Sequence, residues 1–293
     1  MAFVQMKKIN PPQNSVLDTI SACANDLLLA DQKLSQTLDK QNVTKVLSAA
    51  EHVYTNKAKQ GRLFTLRPNH KNVANCLSIN DMKKAYKTMS SCGKKGKQIY
   101  DKIKNADDSQ ICPFCNHRNI VYIDHFLPKS KYPHYSITPI NLVPICHECN
   151  SKSKKGALYP TSAETQFIHP YFDDFSDAIW LYAVINNTFP FTMYYSPYKP
   201  ASWDDVKYQR IKYHFDKLKL NELYTSNAVR ELFNRKITIQ KRFEASGADG
   251  LKAYFYTEGV ERRASEKNSW QAALYEALGQ SDFFCHNVVD LIS

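Results

Sequence analysis

The sequence predicts an α+β chain, mainly helical, with a small metal-stapled centre between two helical regions. Three observations carry that expectation. Apolar residues recur at helical spacing on both sides of the middle, as in Val16, Ile20, Ala24, Leu27 and Leu28. Cys112 and Cys115 form one C-x-x-C pair, and Cys146 and Cys149 form a second. Each pair can aim two thiolates at one point, and together they make the tetrahedral four-sulfur site that structural zinc prefers. Between the pairs, Pro128, Pro133, Pro139 and Pro144 exclude a long helix, while the β-branched and aromatic run at 120–123 reads as a short strand.

Taken in order, Pro11 and Pro12 precede a helix expected over residues 14–34. Val43, Val46, Leu47, Ala50, Val53 and Tyr54 repeat the pattern over 42–58, so that the two pair as a hairpin. Residues 60–75 are irregular, with Gly61, Pro68 and Asn69, and end an N-terminal helical region, 1–75. Ser78 and Asp81 then make a capping-box-like start for a helix carrying Met82, Tyr86 and Met89. Residues 90–96, with Gly93 and Gly96 among lysines, read as a flexible break before a short helix marked by Ile99 and Ile103. A strand leads on from the first knuckle. Asn150 is expected to open a helix whose N-terminal dipole favours a nearby anion, which completes a central region, 76–160.

Residues 161–293 form a third, mainly helical region. The aromatic run up to Tyr198 reads as packing surface with short strands or turns, and Asp173 and Asp174 as capping or solvent-facing residues. Ile211, Phe215 and Leu218 begin a helical stretch that Val229, Leu232, Phe233 and Ile237 extend. Trp270, Ala273, Leu274 and Ala277 mark a last helix, separated from it by Gly247 and Gly250.

A chain of 293 residues, 43% hydrophobic and 12% aromatic, suffices for one large or two modest cores. It has no run of 18 apolar residues and its first residues lack the apolar centre of a signal peptide, so neither a membrane span nor a leader is expected. A cytoplasmic location with reduced thiols follows, and Cys23, Cys76, Cys92 and Cys285 read as small core residues or inert thiols. The formal net charge is +11, and it is concentrated: from Lys83 to Lys155, fourteen Lys and Arg face five Asp and Glu, a net +9. A phosphate polymer fits such a patch. No G-x-x-x-x-G-K-[ST] run exists, so no ATPase is expected within this chain.

Asp124-His125 opens DHFLPKS, Asn141 opens NLVPIC, and Asn150 follows Cys149 directly. This order of D-H, N and C-N between two C-x-x-C knuckles resembles the HNH, or ββα-metal, nucleases, in the zinc-bearing branch. The resemblance covers roughly 40 residues. It implies a zinc-stapled ββα core flanked by helical regions, a metal-dependent endonuclease activity on DNA, and a structural Zn²⁺ on Cys112, Cys115, Cys146 and Cys149. It further implies that Asp124 and Asn150 hold a catalytic Mg²⁺ or Mn²⁺, that His125 activates water, and that Asn141 orients the His125 loop. The residue types suit those roles. An imidazole titrates near neutrality, and a hard divalent cation wants carboxylate and amide oxygens. Adjacent residues on a strand point to opposite faces, so Asp124 and His125 can serve one site only where the strand bends or ends.

Two departures from the family pattern stand out. The third position, often His, is Asn150, whose oxygen favours Mg²⁺ over Zn²⁺. The position three residues later, often Lys, is Ser153, with Lys152, Lys154 and Lys155 around it. The remaining phosphate-contact candidates are Lys129 and Lys131, directly after the Asp-His pair, and Lys94, Lys95 and Lys97 on the break. His134 and His147 read as surface or packing histidines. The segment HPYFDD at 169–174 is similar to one that follows the motif in bacterial members. Long helical regions around the motif also resemble nuclease subunits of Septu-type phage-defence pairs, which implies a separate ATPase partner. Two other readings stand beside this one. A non-catalytic zinc module that binds nucleic acid needs the cysteines and lysines but neither His125 nor Asn150. A partner-docking zinc domain needs no basic patch.

Overall fold

Most helices begin where the sequence supplies a cap. In the computed structural model, which describes residues 8–69, 72–91, 93–154 and 159–292, with 152–154 described by backbone alone, helix α1 (Val16–Leu27) opens on a capping box between Ser15 and Asp18. Glu51, on α3 (Gln41–Lys59), reaches across to accept a hydrogen bond from the Val16 N–H at 3.0 Å. A short helix, α2 (Gln32–Leu38), lies between them, so the expected helix over 14–34 is in fact two. Helix α4 (Ile79–Met89) opens on Ser78, whose hydroxyl accepts from Asp81 N while the Asp81 carboxylate accepts from Ser78 N at 2.8 Å.

Helix α5 (Lys95–Lys104) corrects the reading that places Lys94, Lys95 and Lys97 on a flexible break. The break ends at Lys94, and Lys95 and Lys97 lie on the first helical turn. The exposed amides of that turn are already satisfied: the buried Asp26 carboxylate accepts from Lys95 N at 2.9 Å and Gly96 N at 2.8 Å. Lys94 Nζ donates to the Asp26 carbonyl at 3.2 Å, and Lys97 pairs with Asp101. Gly96 lets α5 approach α4, since a Cβ there would lie 2.8 Å from Met89 Cα.

The chain divides into two compact units, residues 8–173 and 174–292. This differs from the three regions read from the sequence, and the reason lies in the first core. Val16, Ile20, Leu47, Met82 and Ile99 from the helices pack in one cluster with Ile123, Ile137 and Leu142 from the knuckle region. Among the described residues, 1–75 and 76–160 therefore share one core. Strands β1 (Tyr122–His125) and β2 (Leu142–Ile145) pair antiparallel, with His125 opposite Leu142 and Tyr122 opposite Ile145. Helix α6 (His147–Lys154) follows β2 at once, three residues earlier than the expected start at Asn150. The link between the strands contains two single 3₁₀ turns, Pro133–Tyr135 and Pro139–Asn141, each begun by the proline that excluded a longer helix.

The second unit joins an antiparallel pair, β3 (Leu181–Asn186) and β4 (Thr192–Pro197), to helices α7 (Asp205–Lys217), α8 (Leu220–Ser265) and α9 (Trp270–Gln280). Two short helices follow, α10 (Asp282–His286) and α11 (Val288–Leu291). Helix α8 is broken at Gly247, whose φ of 66° is open to glycine. Asn268 bridges the strands to the helices, its Oδ1 accepting from Trp180 N at 2.9 Å and Leu181 N at 3.2 Å. Gly259 and Gly279 set the close α8–α9 contact, where a Cβ would meet backbone within 3.0 Å. Phe233 and Ile237, which continue the apolar pattern in sequence, are 60% and 68% exposed and lie outside this core. The result is an α+β chain, mainly helical, with two small two-stranded sheets among the described residues.

Candidate functional site

The four knuckle cysteines are fully buried, and their sulfurs all lie within 4.8 Å of one another. Tetrahedral zinc with bonds of ~2.3 Å requires sulfur separations of about 3.8 Å. Cys115 Sγ and Cys146 Sγ are 4.0 Å apart. Local backbone builds both turns. Asn116, with φ 47°, turns the first, and its N–H donates to Cys112 O at 2.8 Å. Arg118 N–H donates to Cys115 Sγ at 3.5 Å, and Cys149 N–H donates to Cys146 Sγ at 3.4 Å, so each knuckle aims an amide at a sulfur. Arg118 also pairs with Glu148 across the two knuckles at 3.5 Å.

Four thiols this close cannot all ionise unaided. Burial pushes the Cys112 thiol well up, and hydrogen bonding among the sulfurs raises Cys149. Hydrogen bonding with Cys112 first, then with the other sulfurs, holds Cys115 far below its ordinary value, and hydrogen bonding with Cys112 brings Cys146 down to about 7. A soft dication held by four thiolates removes this conflict, and the donor set fits zinc in a structural, closed site.

Asp124 and His125 end β1, and both are 7% exposed. Their side chains approach, His125 Nδ1 lying 4.0 Å from Asp124 Oδ1. The strand stops where two adjacent residues must share a direction, and Phe126 N–H then donates to Asn141 O at 2.8 Å. His125 Nε2 lies 2.8 Å from Ser136 O. A carbonyl only accepts, so this bond assigns the proton to Nε2 and, in the neutral ring, the lone pair to Nδ1, the nitrogen beside Asp124. Asn141 is fully buried and clamps the loop. Its Oδ1 accepts from Leu127 N at 2.7 Å, and its Nδ2 donates to Leu127 O and Tyr135 O, each at 3.1 Å. Asn150 sits on α6 beside Cys149, with its N–H donating to Cys146 O at 3.1 Å. The zinc knuckle therefore places the residue that carries this amide.

The lysines divide into three groups. Lys129 lies over the Tyr86 ring at 4.5 Å and Lys131 faces Tyr159 at 6.0 Å, both on the Asp-His loop. Lys94 is the residue before α5, and Lys95 and Lys97 lie on it, with the ties described above. Lys152 and Lys154 are on α6, and their side chains, like all of Lys155, fall outside the described residues. His147 is exposed, while burial holds the half-buried His134 below the ordinary imidazole value.

Two supports for this site lie outside the motif. His169 is fully buried, its ring 4.2 Å from that of Phe126, its Nε2 3.0 Å from Tyr54 Oη, and its Nδ1 accepting from Tyr171 N at 3.2 Å. Tyr171 Oη donates to Leu142 O at 2.6 Å, on the residue paired with His125. The HPYFDD segment thus braces the strand end, and Asp173 closes its turn by accepting from His169 N at 2.7 Å. From the other side, Tyr86 on α4 contacts His125 with ring centroids 4.4 Å apart. A polar, aromatic segment signalled the first brace in sequence. Nothing in the spacing of α4 marks Tyr86.

The chain is 25% identical over 299 residues to Protein ea31 of Escherichia phage lambda, across 95% of this chain and 99% of that protein. No family model matches the chain, and no solved structure matches it. No helix among the described residues is long and apolar enough to cross a membrane.

Proposed function

We propose that this chain is a metal-dependent endonuclease of the HNH type, acting on DNA. The observation that carries the proposal is the order and pairing of the elements. Asp124-His125 ends β1, β1 pairs antiparallel with β2, and α6 follows at once with Cys149-Asn150 on a four-cysteine clamp. Buried polar side chains at a strand end demand a reason, and here the imidazole is oriented rather than merely packed.

In this reading Asp124 and Asn150 would hold Mg²⁺ or Mn²⁺, for which their oxygens are the right donors. Such a cation, when bound, would neutralise charge on the phosphate and on the leaving oxygen. His125 Nδ1 takes the proton of the attacking water, because Nε2 is committed to the Ser136 carbonyl. Asn141 keeps the loop in register by satisfying both sides of the Leu127 peptide. Lys129 and Lys131 bring positive charge to the DNA backbone, with Lys152 and Lys154 on α6 as further contacts.

The test is nicking and cleavage of plasmid DNA with Mg²⁺ or Mn²⁺, wild type against His125→Ala. Loss of cleavage in His125→Ala with zinc and binding retained supports the enzyme. Cleavage by neither protein, with DNA binding by both, replaces it with the non-catalytic zinc module. The separate ATPase partner and the role in phage defence extend the proposal, and purification of the chain from its host without an ATPase would count against them.

A further inference from the structure

We propose that Tyr86 is a positioning residue that fixes His125 and Lys129 relative to each other, a role that rests on the nuclease reading above. The geometry concentrates three contacts on one side chain, two to motif residues and one to the residue that precedes them. The ring meets the His125 imidazole at 4.4 Å with an interplanar angle of 64°. The Lys129 ammonium lies 4.5 Å from its centroid. Its hydroxyl donates to Ile123 O at 3.3 Å, on the residue before Asp124. A side chain whose only task was filling the core would behave as its neighbours on α4 do. Met82, Ala85 and Met89 are fully buried, whereas Tyr86 is half-buried against the site.

The arrangement solves a problem that the motif leaves open. The hydrogen bond from His125 Nε2 to Ser136 O fixes one edge of the ring, and contacts on the ring face set its plane. A T-shaped aromatic neighbour defines that plane. Lys129 belongs to a loop and carries a flexible stem, and the π-face of Tyr86 supplies a resting place for its ammonium beside the imidazole. Helix α4 is itself held by the Ser78–Asp81 capping box, so the N-terminal helices contribute a rigid wall to the site.

The experiment compares Tyr86→Phe, which keeps the ring, with Tyr86→Leu, which keeps apolar volume but loses it. Zinc content and DNA affinity are measured beside single-turnover cleavage. Tyr86→Leu is expected to lower the cleavage rate by about 10–100-fold, as misplacement of a reacting group does, and Tyr86→Phe to stay within about 3-fold of wild type by keeping the π-face. Lys129→Ala should weaken affinity in the wild-type background and do so less in the Tyr86→Leu background, because Lys129 is then no longer placed. A Tyr86→Leu chain with full zinc that cleaves at the wild-type rate overturns the role, as does equal loss in the Phe and Leu variants. A wild-type measurement stands apart from whether Tyr86→Leu folds. The His125 ring-proton resonances, identified by their loss in His125→Ala, should be displaced by the Tyr86 ring current, and ordinary positions overturn the contact. A wild-type chain that cleaves no nucleic acid overturns the nuclease reading and the positioning role with it, while the resonance displacement reports separately whether Tyr86 holds the imidazole.

Discussion

His125, Asn150 and Asn141 predict three distinct failures when each is truncated. His125→Ala removes the base but leaves the oxygen ligands and the zinc clamp, so the protein should fold, hold zinc and bind DNA. Its cleavage should fall by about 10²–10⁴-fold, the usual contribution of a general base. Asn150→Ala weakens the divalent cation instead, so raised Mn²⁺ should partly restore it and leave His125→Ala unchanged. Rescue of both to the same extent would assign His125 to the metal and not to water. Asn141→Ala strands the Leu127 N–H and the Leu127 and Tyr135 carbonyls in a buried place, which should cost about 1–3 kcal/mol in chemical denaturation and lower cleavage without abolishing it. These residues stood out in the sequence because Asp-His, Asn and Cys-Asn keep a fixed order around the knuckles. Tyr86 did not, because its role comes from tertiary contact with no spacing rule behind it, whereas His169 was marked only as the start of the HPYFDD segment, without its contacts.

At the level of elements, the C-x-x-C turns were legible because they are local: the i, i+3 spacing alone closes each knuckle. Cys112→Ser or Cys149→Ser should release zinc and unfold the central strands, since structural-site binding is folding free energy on the order of 10 kcal/mol. Cys23→Ser and Cys285→Ser should retain zinc in the same metal assay. The capping box at Ser78 was equally local. Gly96 misled, since a glycine among lysines reads as a loop but here admits a neighbouring helix backbone. Likewise the apolar stripe through Phe233 and Ile237 gave the helix, yet both side chains are exposed, because periodicity reports a face without saying what covers it. Glu51 offers a further test of an element's support. Burial raises its carboxyl pKa, against the opposing hydrogen bond from Val16 N. The folded state therefore binds the proton more tightly than the unfolded one. Stability should fall as pH rises from the ordinary carboxylate value to the raised one, then level off. Glu51→Gln should remove that slope in urea titrations taken across the acid range, and an unchanged slope would place the titrating group elsewhere.

On the scale of the whole molecule, the net +9 between Lys83 and Lys155 was visible as composition, but its use depends on where each charge sits. Lys94 and Lys97 are tied to Asp26 and Asp101 within the fold, and the first amides of α5 are taken by the Asp26 carboxylate. A phosphate there would have to displace a buried acid. Lys129 and Lys131 instead lie over aromatic rings along the loop that follows Asp124-His125. The two groups should therefore separate experimentally. Lys129→Ala combined with Lys131→Ala should weaken DNA binding and flatten the slope of log affinity against log salt by roughly two, one unit for each phosphate that is no longer neutralised. Lys95→Ala with Lys97→Ala should change that slope by less than one such unit, since neither lysine is placed at the proposed centre. The reverse ranking would mean that DNA runs along α5, away from His125, and that basic charge in this chain marks a binding surface distinct from the residues proposed to cut.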